Sequence, residues 1–402
     1  MRERQPEVFK PALPPGEPRG VRPSLRVVLR QWGRLGCIGF GGPPTHMALL
    51  RDLCVQRRGW LTPEEFEDAI AACNLLPGPS STQLAIFCAW RVRGPAGPLV
   101  GGFAFIVPGL AAILGLAALF LAGSPPTWVR GAAAGAGAAV AAVAVRTGWA
   151  LLGASRARSR RDGSGRRLWA YLLAGGVAAA TVGPWLVVIL IACGGTEITR
   201  RGVPGRRVNA LVAPSLPVAA LPAMGGLAAL GWVALKVGAL SFGGGFVIVP
   251  LMQHNAVSTY HWMTASQFVG AVALGQVTPG PLVQTVAVVG YAAAGLGGGL
   301  LAAAIAFAPS FLFVLGGAHH FDRLRSSAYA KGFLGGAGPA AIGAILGSAV
   351  PLGLALSEPW QTGVLAGAAI ALLVARRGVV GTLLAAGAVG AALGLAGAPL
   401  PR

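Results

Sequence analysis

The chain has little charge and very little acid. Asp, Glu, Lys and Arg make up 11% of its 402 residues, against about 25% in a usual soluble domain. Residues 94–129, 168–196, 255–321 and 332–357 hold no charged side chain at all. Each of these tracts is longer than the roughly 20 residues that cross a bilayer core. They show no alternation of polar and apolar positions, which excludes an outer-membrane barrel. Histidine and cysteine are also scarce, at 5 each. Cys37, Cys54, Cys73, Cys88 and Cys193 form no Cys-x-x-Cys pair and have no histidine cluster beside them. They read as small packing residues, and no metal site or cofactor is expected. With 12 acids spread thinly, no carboxylate cluster offers itself for metal-assisted hydrolysis either.

What is present is an all-α polytopic membrane protein with a strong basic excess, +20 from 32 basic and 12 acidic residues. In a soluble chain this excess would suggest nucleic acid. Here the basic residues lie in short tracts between apolar segments, as cytoplasmic loops of a membrane protein do, and no nucleic-acid partner is called for. The abundance of Arg, Ala and Gly fits a GC-rich bacterial genome. Residues 1–24 are charged and proline-rich with no apolar core segment. They read as a disordered cytoplasmic arm rather than a cleaved signal peptide.

The chain is also duplicated. Phe242-Gly243-Gly244, Trp262 and Pro279-Gly280-Pro281 each stand 202 positions after Phe40-Gly41-Gly42, Trp60 and Pro77-Gly78-Pro79. Such a fixed register marks an internal repeat. It divides the chain into a first repeat at 25–200, a linker at 201–223 and a second repeat at 224–402. Gly131-x-x-x-Gly135 recurs as Gly332-x-x-x-Gly336, a small-residue face for close helix packing.

Each copy is broken twice. Glycines followed by Pro43-Pro44 cannot continue a helix, so the first helical piece, 25–38, should stop and restart near Thr45. Residues 51–58 then read as a surface connection. Thr62-Pro63-Glu64-Glu65 and Thr264-Ala265-Ser266-Gln267 are capping boxes that start a helix at the same place in both copies. From Pro63 to about Leu76 such a helix is about 21 Å long, too short for a core of about 30 Å. The two Pro-Gly-Pro motifs then enforce a second break, after which Pro79 and Pro281 open new helices. Breaks at membrane depth survive only where they are buried in protein or line a wet cavity. Paired interrupted segments are the best sequence pointer to a transport site, although a structural kink with polar groups satisfying freed backbone would look similar. Each pair reads as broken or re-entrant helices.

Other features have blander readings. Arg26 and Arg30 read as interfacial arginines that snorkel. Arg34 differs, because Lys236 occupies its place in the second copy within an otherwise uncharged tract. Residues 155–167 read as a basic loop. Glu197 reads as a surface position at a helix end, and His319 and His320 as interfacial. The segments 168–198 and 360–395 are interrupted at Gly183-Pro184 and at Arg376-Arg377-Gly378, so each could be two short helices. Topology is left open by the residues alone. The basic arm, loop and linker favour parallel repeats, whereas the neutral stretch 253–261, opposite Arg51, Arg57 and Arg58, favours an inverted second copy.

Phe40-Gly41-Gly42-Pro43 with Pro77-Gly78-Pro79, and Phe242-Gly243-Gly244-Gly245 with Pro279-Gly280-Pro281, carry a resemblance over residues 25–395. The chain resembles the chromate ion transporter family in its long, two-domain form. The resemblance implies a multi-pass protein of the bacterial inner membrane that exports chromate, driven by the proton gradient, with sulfate as a structural analogue. It also implies halves of opposite orientation.

Chromate is a tetrahedral dianion that needs many donors and few carboxylates. The breaks offer them as helix N-termini, hydroxyls, amides and one cation per copy. The expected binding residues in the first copy are Arg34, Phe40, Gly41, Gly42, Asn74, Pro77, Gly78 and Pro79, with the donors Ser80, Ser81, Thr82 and Gln83. In the second they are Lys236, Phe242, Gly243, Gly244, Gln276, Thr278, Pro279, Gly280, Pro281, Gln284 and Thr285. Proton coupling needs a titrating group, for which His46 and His254 beside the first breaks are the candidates. The expected partners are the oxyanion, protons and the lipid bilayer, with a homodimer also allowed. A passive anion channel and a membrane-embedded phosphate-handling enzyme are the rival classes. No nucleophile–base pair at membrane depth supports the enzyme.

Overall fold

The computed structural model describes residues 23–74, 76, 78–161, 163–181, 186–201, 225–241, 245–317 and 327–401. The arm, most of the linker, Pro77, Gly183-Pro184, Phe242-Gly243-Gly244, His319 and His320 lie outside the described residues. Within them the chain is helical, with no strand.

The first copy runs through α1 (Leu25–Ile38), α2 (Pro43–Arg51), α3 (Pro63–Cys73), α4 (Ser80–Arg93), α5 (Gly97–Phe120), α6 (Thr127–Arg161), α7 (Gly165–Thr181) and α8 (Leu186–Arg200). The second runs through α9 (Gly226–Leu240), α10 (Val249–Gln253), α11 (Ala265–Val277), α12 (Thr285–Gly317), α13 (Ala328–Gly347), α14 (Ala349–Leu354), α15 (Pro359–Ala369) and α16 (Val379–Leu395). Among the described residues, four stretches are long and apolar enough to cross a membrane by length and composition. They are α5, α6, α12 with its leading turn, and α13 with α14.

Local chemistry sets the boundaries. Both capping boxes form. Thr62 Oγ1 accepts from Glu65 N–H and Glu65 Oε2 from Thr62 N–H, and Thr264 and Gln267 repeat the exchange. α3 stops at Cys73, three residues before the expected end, with Asn74 as its C-cap. α2 starts at Pro43 rather than Thr45, because a proline at the first helical position loses no hydrogen bond. Residues 52–57 are a π-helical turn that continues α2, not a surface connection, and His254–Thr259 is its counterpart. The expected loop at 155–167 is mostly the end of α6, since no glycine or proline interrupts the Ala, Ser and Arg run before Gly163. α12 contains a break that its composition hides. Gly295 (φ 62°, ψ −155°) matches Gly94 (φ 75°, ψ −154°), which separates α4 from α5.

The two copies interlock. α6 of the first packs on α15 and α16 of the second, while α13 of the second packs on α7 and α8 of the first. Glycines permit the approach in both places. Gly131 and Gly135 lie against the backbone of Gly390 and Ala386, and Gly336 lies against that of Cys193. Between these arms, α1 packs on α5, α9 packs on α12, and α5 meets α12 at the centre.

Candidate functional site

The helix that leads into the first break ends alike in both copies. Gly39 ends α1 at φ −75°, ψ 66°, and Ser241 ends α9 at φ −75°, ψ 67°. These are inverse γ-turn values, and Phe40 N–H closes the turn on Ile38 O at 2.9 Å. In the second break Gly78 (φ +117°) and Gly280 (φ +107°) occupy a region that L side chains rarely adopt. That explains a glycine between two prolines. α4 then starts at Ser80, and a 3₁₀ turn at Leu282–Gln284 leads into α12.

Each Pro-Gly-Pro meets the opposite copy. Gly280 N–H donates to Gly39 O at 2.9 Å, and Gln284 Nε2 donates to Ile106 O on α5 at 2.9 Å. A β-carbon at Gly109, just after Pro108, would collide with the Pro279 carbonyl. Reciprocally, a β-carbon at Gly78 would stand 3.3 Å from Gly238 O on α9 and 3.5 Å from Ser310 Oγ on α12, just after Pro309. The chain therefore has two cross-copy junctions, one at Gly78 and one at Gly280.

Their polar groups differ. At the Gly280 junction Thr278 Oγ1 donates to Leu274 O, Thr285 Oγ1 donates to Leu282 O, and Gln284 reaches α5. On the Gly78 side Thr82, Ser241 and Ser310 are each fully buried, and their hydroxyl oxygens find no partner among the described residues. Ser310 faces Gly78 directly. Thr82 lies in the first turn of α4, and Ser241 lies one turn beyond Gly238. Buried hydroxyls without partners are rare, and an ordered water or a bound group is the usual reason for one. Ser80 and Ser81, in the first turn of α4, are buried here too. The N–H groups of that turn carry partial positive charge.

The remaining expected residues scatter. Arg34 and Phe40 are exposed, and Asn74 is exposed at the end of α3. Gly41 and Gly42 hold positive φ in the turn before α2. Gln83 is buried beside Gly78, Pro79 and Pro281 are buried, and Gln276 and Pro279 are partly buried. Lys236 is half-buried, donates to Asn255 Oδ1 at 3.3 Å and lies 5.7 Å from the Trp232 ring centre. His254 lies close enough to feel its charge. Arg34 and Lys236, equivalent in sequence, thus have unlike surroundings.

His46 is buried, and its Nε2 stands 2.8 Å from Gly39 O. A carbonyl oxygen only accepts, so Nε2 carries the proton and Nδ1 keeps a lone pair, which finds no partner among the described residues. Glu197 is not at the surface. It is 2% exposed and held by Arg167, Tyr171 and Arg201, because α13 of the other copy packs over it. Sequence reading missed Ser241, Ser310 and Asn255. The signal was there for Ser310, a hydroxyl right after Pro309 where the first copy has Gly109 after Pro108. Among the described residues no group of three His, Cys, Asp or Glu could hold a metal ion.

A family model described as chromate transporter matches residues 27–196 and again 228–395. The chromate transport protein of Cupriavidus metallidurans is 32% identical over 94% of each chain. The probable chromate transport protein of Synechococcus elongatus is 27% identical over 82% of this chain and 85% of its own. A chromate transport protein of Pseudomonas aeruginosa is 29% identical over 81% of this chain and 80% of its own. No solved structure matches. Two matches of one family model, one per copy, and relatives aligned along most of their length place this multi-pass membrane protein in the chromate transporter family.

Proposed function

We propose that the chain exports chromate across the bacterial inner membrane in exchange for protons, holding the dianion at the Gly78 junction. The three buried hydroxyls of Thr82, Ser241 and Ser310, unpartnered among the described residues, carry this reading. A hydroxyl donates to an oxyanion as readily as it accepts from water. With the N–H groups of Ser80 and Ser81 they offer donors with no Asp or Glu among them. Sulfate has the same shape and charge and should compete. The Gly280 junction has Thr278, Thr285 and Gln284 committed to backbone, and its part in this reading is the proton rather than the dianion.

His46 is the proton carrier in this reading. Gly39 O accepts both from His46 Nε2 and from Gly280 N–H of the other copy. A proton taken up at Nδ1 therefore places charge where the two copies meet. The neutral stretch 253–261 opposite basic 51–58 supports an inverted arrangement of the copies.

The test is uptake of labelled chromate and sulfate by inverted vesicles, with and without an imposed proton gradient. Saturable uptake that follows the gradient is expected, with sulfate competing. Uptake that stays linear in concentration and ignores the gradient would refute the exchanger and leave a passive anion channel.

A further inference from the structure

The end of the molecule where α6 and α8 finish and α7 begins is crowded with arginine. Arg156, Arg158, Arg160, Arg166, Arg167, Arg200 and Arg201 all fall there. Within this crown is a cavity of about 40 Å³, lined among others by Ser155, Arg158, Ser164, Arg167, Glu197 and Arg201. A water molecule needs only about 10–15 Å³ of such space, so the cavity admits something larger than one water.

Its charge is unbalanced. Among the described residues three guanidinium groups line it, and Glu197 is the one carboxylate that does. Glu197 is 2% exposed and accepts from Tyr171 Oη at 3.1 Å, Arg201 Nε at 3.1 Å and Arg167 Nη1 at 3.4 Å. It engages Arg167 through a single nitrogen, and a guanidinium has five N–H groups in a fixed fork. Glu197 thus acts as a buried anchor that orients the fork and leaves further N–H groups for a ligand. Arg158 is exposed at the mouth. Ser164, whose Oγ stands 3.1 Å from Ser159 Oγ, precedes the first turn of α7.

The fold does not require this cluster. Gly336 packs against Cys193 and Glu197 as Gly135 packs against Ala386 and Gly390. Gly390 therefore stands where Glu197 does, and that end of the molecule closes on a bare backbone contact with Gly131. The same interlock is made in one half with two glycines and in the other with a buried acid, a tyrosine and arginines.

We propose that this arginine pocket is a second oxyanion site, separate from the Gly78 junction, for a single tetrahedral group of the phosphate, sulfate or chromate type. The group is either a free ion or the phosphate of a lipid headgroup, since the chemistry is the same. The inference does not rest on the transport reading.

The full-length protein in nanodiscs tests it by hydrogen exchange over residues 155–168 and by equilibrium binding of labelled sulfate. Slower exchange on adding sulfate in phosphatidylcholine discs assigns the site to a free ion. Slower exchange only in phosphatidylglycerol discs assigns it to a headgroup, and both results support the pocket. Arg158→Gln, which leaves the Glu197 contacts in place, should weaken binding here about tenfold. Thr82→Val should leave this protection intact even if it stops transport, which separates the two readings. No change in exchange with sulfate, phosphate or phosphatidylglycerol in the wild-type protein would overturn the proposal, as would an Arg158→Gln variant that binds as well as wild type.

Discussion

The two junctions descend from one sequence and share backbone angles at matched positions, yet they treat polar groups in opposite ways. Gly39 and Ser241 share their dihedral angles, as do Gly78 and Gly280 to within about ten degrees in φ. At the Gly280 junction every named side-chain donor ends on a backbone carbonyl. On the Gly78 side three hydroxyls end on nothing among the described residues. Duplication supplied two helix breaks facing the opposite copy. Small changes, Gly109 to Ser310 and Gly39 to Ser241 across the repeat, leave one of them sealed and the other with donors to spare. The helices leading in differ likewise. α3 carries Glu64, Glu67 and Asp68 on an exposed face, whereas α11 is uncharged and packs on α5, α6 and α16.

The comparison breaks most visibly if the open junction proves to be structural. Thr82→Val with Ser310→Ala removes two donors from the proposed dianion site. At about 1.5–3 kcal/mol per hydrogen bond to a charged group, transport should fall by about a hundredfold or more. The thermal midpoint in detergent should hold or rise, because two unsatisfied buried groups are removed. A lowered midpoint with unchanged flux would assign these hydroxyls to stability and end the reading of a site.

Gln284→Ala should do the reverse. It removes a buried cross-copy hydrogen bond to Ile106 O, at a cost of about 0.5–1.5 kcal/mol. The midpoint should drop while flux per folded molecule stays close to wild type. A variant with normal stability and no transport would show that the sealed junction also handles the ion.

His46→Gln sharpens the proton side. Glutamine can still donate to Gly39 O, so the contact with Gly280 is kept and folding is preserved. It cannot take up a proton at neutral pH. Chromate uptake should then persist down its own gradient and lose its response to an imposed proton gradient. The pair His254→Gln, on the Lys236 side, should keep that response. Vesicle flux at matched and mismatched pH distinguishes the two.

How much of this was legible beforehand depends on how local each cause is. The capping boxes, the helix break before Pro43 and the Pro-Gly-Pro breaks are set by three or four adjacent residues, and the sequence displays them. Glu197 was misread because its burial depends on α13, which comes from the other copy some 140 positions away. The exchange of α6 and α13 between copies leaves no periodic trace, since Gly-x-x-x-Gly does not name its partner. Arg34 and Lys236 share a register but not an environment, because exposure follows what packs alongside. The turn at 52–57 was hidden by its charges, which suit a loop as well as a solvated helix. Ser310 was legible only by comparing the residues after Pro108 and Pro309.

The smallest effect is also the most symmetrical. Thr62 and Thr264 make the same reciprocal exchange with the residue three positions on, at distances between 2.9 and 3.2 Å. Replacing either threonine by alanine should cost about 1 kcal/mol, so the two midpoints should fall by similar, modest amounts. Their effects on transport should differ, because α3 leads to the open junction and α11 to the sealed one. Fraying α3 loosens the entry to Gly78 and should change chromate affinity, while fraying α11 should not. Equal loss of affinity in Thr62→Ala and Thr264→Ala would mean that both junctions serve the ion alike, and the asymmetry would then be one of resting conformation rather than of role.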